Sequence, residues 1–122
     1  MATDTIRTIL DNDKMKVVEY VSTPGKDVCG KGMHSHTPHL TIMLTDALVT
    51  VTTPGGKVQN YDIKAGFASW FEADTHIVIN NGLMPVRAYL IELKYKTFLC
   101  ILIQVNFTCF LNRFYNSLNS YC

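Results

Sequence analysis

The sequence predicts an all-β domain, a sandwich or barrel of short strands. Between Lys14 and Lys94, runs rich in Val, Ile, Thr and Tyr alternate apolar and polar residues, which is the period of a half-buried strand. Turn signals separate these runs at short intervals: Pro24 with Gly25, Pro54 with Gly55 and Gly56, Ala65 with Gly66, and Asn81 with Gly82 and Pro85. No stretch in this range carries the spacing of an amphipathic helix, so short strands and turns account for all of it.

Taken in order, Thr5 to Leu10 has some β character and reads as a leading strand or a loose arm. Lys14 to Val21 is a strand, and the Pro24 and Gly25 pair stops it. As a candidate sheet edge, this strand needs covering. His34 to Leu44 follows, interrupted by Pro38, which cannot donate to a ladder and either begins a new strand or forces a bulge. Leu48 to Thr53 and Lys57 to Ile63 form a hairpin across the Pro54 to Gly56 turn. Phe67 to Phe71, His76 to Asn80 and Val86 to Leu93 complete the set.

A chain of 122 residues is long enough for one core. Its formal net charge of +1 lacks the basic excess of a nucleic-acid binder. The first residues are polar, with no apolar run of a secretory signal, so the expected compartment is the cytoplasm and no membrane association is expected. In a reducing compartment the four cysteines, Cys29, Cys100, Cys109 and Cys122, read as free thiols; no pair has the C-x-x-C spacing.

The domain is expected to span residues 1–94, because 95–122 differ in kind. This stretch has no Asp, Glu, Gly, Ala, Pro or His. Thr97 to Leu111 is apolar yet too short for a membrane span. It reads either as a short hydrophobic helix or swapped strand, or as an atypical C-terminal extension not selected to fold. The sequon at Asn106 reads as a chance match without a secretory signal.

The chemistry concentrates in the histidines. Three of the four, His34, His36 and His39, fall within six residues, and His76 lies in a later strand. Two residues apart on a strand, His34 and His36 share a face. Continued parity would put Leu40, Ile42 and Leu44 on that same face, which makes it the interior one and turns His39 outwards unless Pro38 introduces a bulge. A single buried imidazole is ordinarily a hydrogen-bonded core residue. Two on one apolar face, with a third on a strand of like pattern, instead suit a shared divalent transition metal, which would satisfy all three.

These residues resemble the two motifs of a cupin, a small jelly-roll-like barrel of the double-stranded β-helix type. His34 and His36 match the His-x-His pair of the first motif. Gly66, His76 and Asn80 match the glycine, histidine and asparagine of the second. The resemblance covers roughly residues 14–94. Three positions depart from it: the glutamate slot falls at Leu40 or Thr41, with Leu40 in phase with the histidines; the closing glycine is Ala47; and the Pro-x-Gly turn is Glu72, Ala73 and Asp74.

The resemblance implies a metal held by His34, His36 and His76, with Leu40, Trp70 and Asn80 as possible pocket residues. Iron, zinc, manganese, nickel or copper would suit such ligands. Without the glutamate the ion keeps its full double charge and favours a small anionic molecule. The expected function is a metal-dependent dioxygenase or isomerase, with Glu92 and Tyr89 as candidate bases. The alternative is a non-catalytic cupin that binds a small ligand or serves as an interaction module, or one whose site is vestigial. A homodimer is the expected assembly.

Overall fold

The structure, a computed structural model, describes residues 3–94. The expected extension 95–122, with Cys100, Cys109, Cys122 and the Asn106 sequon, lies outside the described residues. Among the described residues there are nine strands: β1 (Thr5–Asp11), β2 (Met15–Ser22), β3 (His34–His36), β4 (His39–Met43), β5 (Ala47–Thr52), β6 (Val58–Ile63), β7 (Ala68–Phe71), β8 (Asp74–Asn80) and β9 (Val86–Leu93). No helix among them is long and apolar enough to cross a membrane.

Two antiparallel sheets result, with strand orders β1-β2-β9-β4-β7 and β3-β8-β5-β6. Turn chemistry fixes the connections. Gly25, Gly56 and Gly66 sit at φ near +80°, the left-handed region that glycine enters without a Cβ clash. The core lies between the sheets: Met43, Val86 and Ala88 from the five-stranded sheet meet Ala47, Val49 and Val78 from the other, together with Val28. Their alternation with exposed neighbours is what the period of two predicted.

One expectation is corrected here, and one alternative is decided. Lys14 to Val21 is not an edge, because β1 pairs along β2 from Thr5↔Val21 to Asp11↔Lys16, and β9 covers its other side. The edge is β1 itself, all seven of whose residues are exposed. At Pro38, where either a new strand or a bulge was expected, the stretch from His34 divides into two strands. It breaks at Thr37 and Pro38; β3 pairs with β8 in one sheet, while β4 pairs with β7 and β9 in the other. The proline therefore begins a new strand on the opposite wall.

Within β4 the inward parity is odd. His39 and Met43 are buried at 3% and 5% exposure, and Thr41 lies between them on the same face. On β9 the inward residues are Val86, Ala88 and Leu90, all buried. The pair Thr41↔Leu90 joins the two sets, and Glu92 continues the inward parity of β9.

Candidate metal centre

The site is built on the shortest strand. β3 pairs with β8 as His34↔His76, Ser35↔Thr75 and His36↔Asp74, which brings His34, His36 and His76 onto one wall. The imidazoles form a compact group, with ring centroids 4.7 Å apart for His34 and His36, 4.9 Å for His34 and His76, and 5.3 Å for His36 and His76. Cys29 joins them from the segment before β3. That segment is held to β8 by a bond from Val28 N to Val78 O (2.9 Å) and by the bridge Asp27↔Ile79. One ligand atom each from Cys29, His34, His36 and His76 lies within 4.8 Å of every other.

The hydrogen bonds determine which ring nitrogens face inwards. His34 Nδ1 lies 2.8 Å from Gly32 O. A carbonyl only accepts, so Nδ1 carries a proton, and in the neutral ring the lone pair is on Nε2. His76 Nδ1 lies 2.8 Å from Asp74 Oδ2, which leads to the same tautomer for the neutral ring. Both Nε2 atoms meet Cys29 Sγ, at 3.3 Å from His34 and 3.4 Å from His76. The one thiol proton can serve one of these lone pairs, not both. His36 Nε2 is buried without any partner. A buried ring nitrogen without a partner is costly in either tautomer, and a divalent ion would satisfy the Nε2 lone pairs of the neutral rings.

The distances agree with that reading. For zinc bonds of about 2.3 Å to sulfur and about 2.0–2.1 Å to nitrogen, the S···N edge of a tetrahedron is about 3.5 Å. The two S···N edges, from Cys29 to His34 and to His76, are thus at the spacing an ion needs. Gly30 makes part of it possible: a Cβ there would fall 2.7 Å from His34 Cγ and Cδ2.

Burial favours the uncharged forms of His36, His76 and Cys29. Burial, reinforced by the neighbouring His34, His39 and His76, pushes His36 down to about 4. Burial also lowers His76, against the pull of Asp74. Burial, followed by the carboxylates of Asp74 and Asp27, raises the Cys29 thiol to about 12. Neutral imidazole is the form that binds a metal; the thiol must lose its proton.

His39 is corrected from outward to inward. It is 3% exposed, its ring is 5.0 Å from that of His36, and it stacks on Phe71 at 5.7 Å. Its Nδ1 donates to Thr37 O at 2.7 Å. The same change of parity turns Leu40 away from the cluster, opposite Trp70 and Ile91, so Thr41 is the residue in phase with His39. Trp70 is 45% exposed and donates from Nε1 to Glu72 Oε1.

Asn80 is fully buried and serves the scaffold. Its amide donates to Ser22 O and Met84 O, and its Oδ1 accepts from Gly82 N, tying β8 to the end of β2 and to the turn before β9. Of the candidate bases, Tyr89 pairs with Ile42 on the outer parity, while Glu92 is inward.

Sequence reasoning missed Cys29 and Tyr20. The only signal for Cys29 was its place five residues before His34 and next to Gly30. Tyr20 shares the inward parity of β2; burial raises its hydroxyl, followed by the proximity of Cys29 and Glu92.

No family model and no curated protein matches the sequence. Solved structures do match the fold. A cupin domain from Bordetella pertussis Tohama I is 25% identical, with a TM-score of 0.66 over 75% of this chain and 93% of that one. An RmlC-like cupin family protein with a double-stranded β-helix fold from Methanocaldococcus jannaschii is 14% identical, with a TM-score of 0.58 over 80% and 85%. A cupin superfamily protein from Desulfitobacterium hafniense DCB-2 is 14% identical, with a TM-score of 0.56 over 75% and 78%. With its paired antiparallel sheets and the His-x-His strand facing His76, the chain has the cupin double-stranded β-helix fold.

Proposed function

We propose that this chain is a small metal-binding cupin in which Cys29, His34, His36 and His76 hold a divalent transition ion. The observation that carries the reading is the convergence of four donors with too few protons to satisfy one another. Cys29 also changes the charge argument. As a thiolate it supplies the negative ligand that the absent glutamate would have given, leaving the ion with a net single positive charge. Thiolate and imidazole together suit zinc, iron or copper better than manganese.

A bound ion supplies Lewis acidity toward a small anionic molecule. Of the chain's own inward groups on the five-stranded sheet, His39 lies nearest the cluster, its ring 5.0 Å from that of His36; Tyr20 would donate a hydrogen bond and Glu92, inward on β9, would accept a proton. This supports a metal-dependent isomerase or dioxygenase. A second reading, a non-catalytic cupin, is favoured by Cys29 itself. Four protein ligands are the mark of a closed structural site, whereas catalytic sites keep a position open. A reducing, cytoplasmic setting fits a cysteine that must stay a thiol.

Metal analysis of protein purified without a histidine tag tests the proposal, with about one equivalent expected per chain. That metal is lost in His34→Ala and in His76→Ala. Absence of metal from both purified and reconstituted protein overturns it. Adding azide to the cobalt-loaded protein then separates the two readings: a changed visible spectrum means an open position, an unchanged one a closed site.

For the partner we infer a second copy of the chain on the outer face of the five-stranded sheet. A continuous apolar row crosses it through Leu10, Val17, Ile91, Leu40 and Trp70, one from each strand. Strand spacing and rise give this face a footprint of about 600 Å², of the order of the roughly 800 Å² per partner that a stable dimer buries.

A further inference from the structure

We propose that Asp74 is the positioning residue of the metal centre, holding His76 in the tautomer that ligates and supplying from outside the ligand set a second negative charge. The inference rests on the metal reading above and concerns a residue outside the four ligands.

Asp74 opens β8 and stands two residues before His76, so the two share a strand face. Its Oδ2 lies 2.8 Å from His76 Nδ1. The ladder pair His36↔Asp74, next but one to His34↔His76, sets the carboxylate in the same patch as the three rings. The other oxygen, Oδ1, is buried and has no partner, so the hydrogen bonding of this carboxylate is committed to His76.

Two consequences follow from elementary chemistry. An imidazole that donates Nδ1–H to a carboxylate must present its Nε2 lone pair on the far side, where Cys29 Sγ lies at 3.4 Å. A divalent ion, the Cys29 thiolate and the Asp74 carboxylate sum to zero charge, which suits a site set into the barrel wall. The cupin-like sequence lacks a carboxylate ligand at Leu40 and Thr41. The structure supplies one carboxylate indirectly, through His76, from the place where the resemblance expects a glycine turn.

The test uses the full chain with Asp74→Ala, Asp74→Asn and Asp74→Glu. In metal-free protein, ring-nitrogen chemical shifts should show His76 protonated at Nδ1 in the wild type and as a tautomer mixture in Asp74→Ala. Zinc affinity, read by competition with a chromophoric chelator, should fall about 10–100-fold in Asp74→Ala and Asp74→Asn and recover in part in Asp74→Glu. The sulfur-to-cobalt charge-transfer band should persist in all three variants, showing that Cys29 still binds and the fold is intact. Zinc affinity in Asp74→Ala within about twofold of the wild type, with the Nδ1 proton kept, would overturn the inference. A wild-type chain that binds no zinc overturns the metal reading instead, and the tautomer measurement still decides whether Asp74 sets His76.

Discussion

The ring of His34 lies against Gly30, so close that a Cβ on Gly30 would meet ring carbons Cγ and Cδ2 at 2.7 Å. Those contacts are shorter than any van der Waals approach between carbons, and the ring cannot yield freely because Nδ1 is bonded to Gly32 O. Gly30→Ala should therefore displace the ring rather than unfold the barrel. The expected result is a drop in zinc affinity of about tenfold or more, with overpacking costing about 1–3 kcal/mol of stability. Titration with zinc and thermal melting of the metal-free protein check both halves. Unchanged affinity would show that the ring has room to move.

Metal binding should release a proton. Burial raises the Cys29 thiol to about 12, so it is protonated near neutral pH and must ionise to bind. Calorimetry in two buffers of different ionisation enthalpy should count about one proton per zinc, and almost none in Cys29→Ser. Zinc affinity should also rise with pH throughout the neutral range. Proton-free binding by the wild type would remove Cys29 from the ligand set.

Acid should weaken the fold through Glu19. Although on the outer face, Glu19 is 5% exposed, covered by the guanidinium groups of Arg87 and Arg7 rather than by the core. The bond from Arg87, then that from Arg7 and both positive charges, hold its carboxyl below the ordinary range. A depressed folded value means that the pairing stabilises fully above the unfolded carboxylate value and fades as pH falls through the folded one. Glu19→Gln should melt lower than the wild type near neutral pH and lose less on acidification below about pH 4.5. A variant with the wild-type slope of melting temperature against pH would refute the assignment.

Trp70→Glu should separate association from folding. Trp70 and Leu10 lie at opposite ends of the outer apolar row and are 45% and 43% exposed. Sedimentation should give a dimer at micromolar concentration for the wild type and a monomer for the variant, with unchanged circular dichroism. A wild-type monomer under those conditions would remove the second copy.

The strand pattern was readable because period-two alternation and glycine turns act over a few residues. The His34, His36 and His76 grouping was readable for the same reason, since i and i+2 positions need no knowledge of the other sheet. Parity failed at Thr37 and Pro38, where the chain changes walls; counting across that break misplaced His39 and Leu40. Cys29 could not be found by periodicity, because an irregular segment carries it and a bond to Val78, fifty residues on from Val28, sets its place. Asp74 was within reach of the same i, i+2 reasoning applied to His76, but it was read as a turn residue. The carboxylate became visible only when β8 proved to start at Asp74 rather than at His76.

The three-residue length of β3 bears on solubility as well as on chemistry. It is an outer strand of its sheet, with β8 on one side only. A longer strand there would offer a row of unpaired amides and carbonyls to any neighbouring chain, the usual seed of edge-to-edge aggregation. Ending at His36, with Pro38 just beyond, β3 is long enough to aim two imidazoles inwards and too short to template another strand.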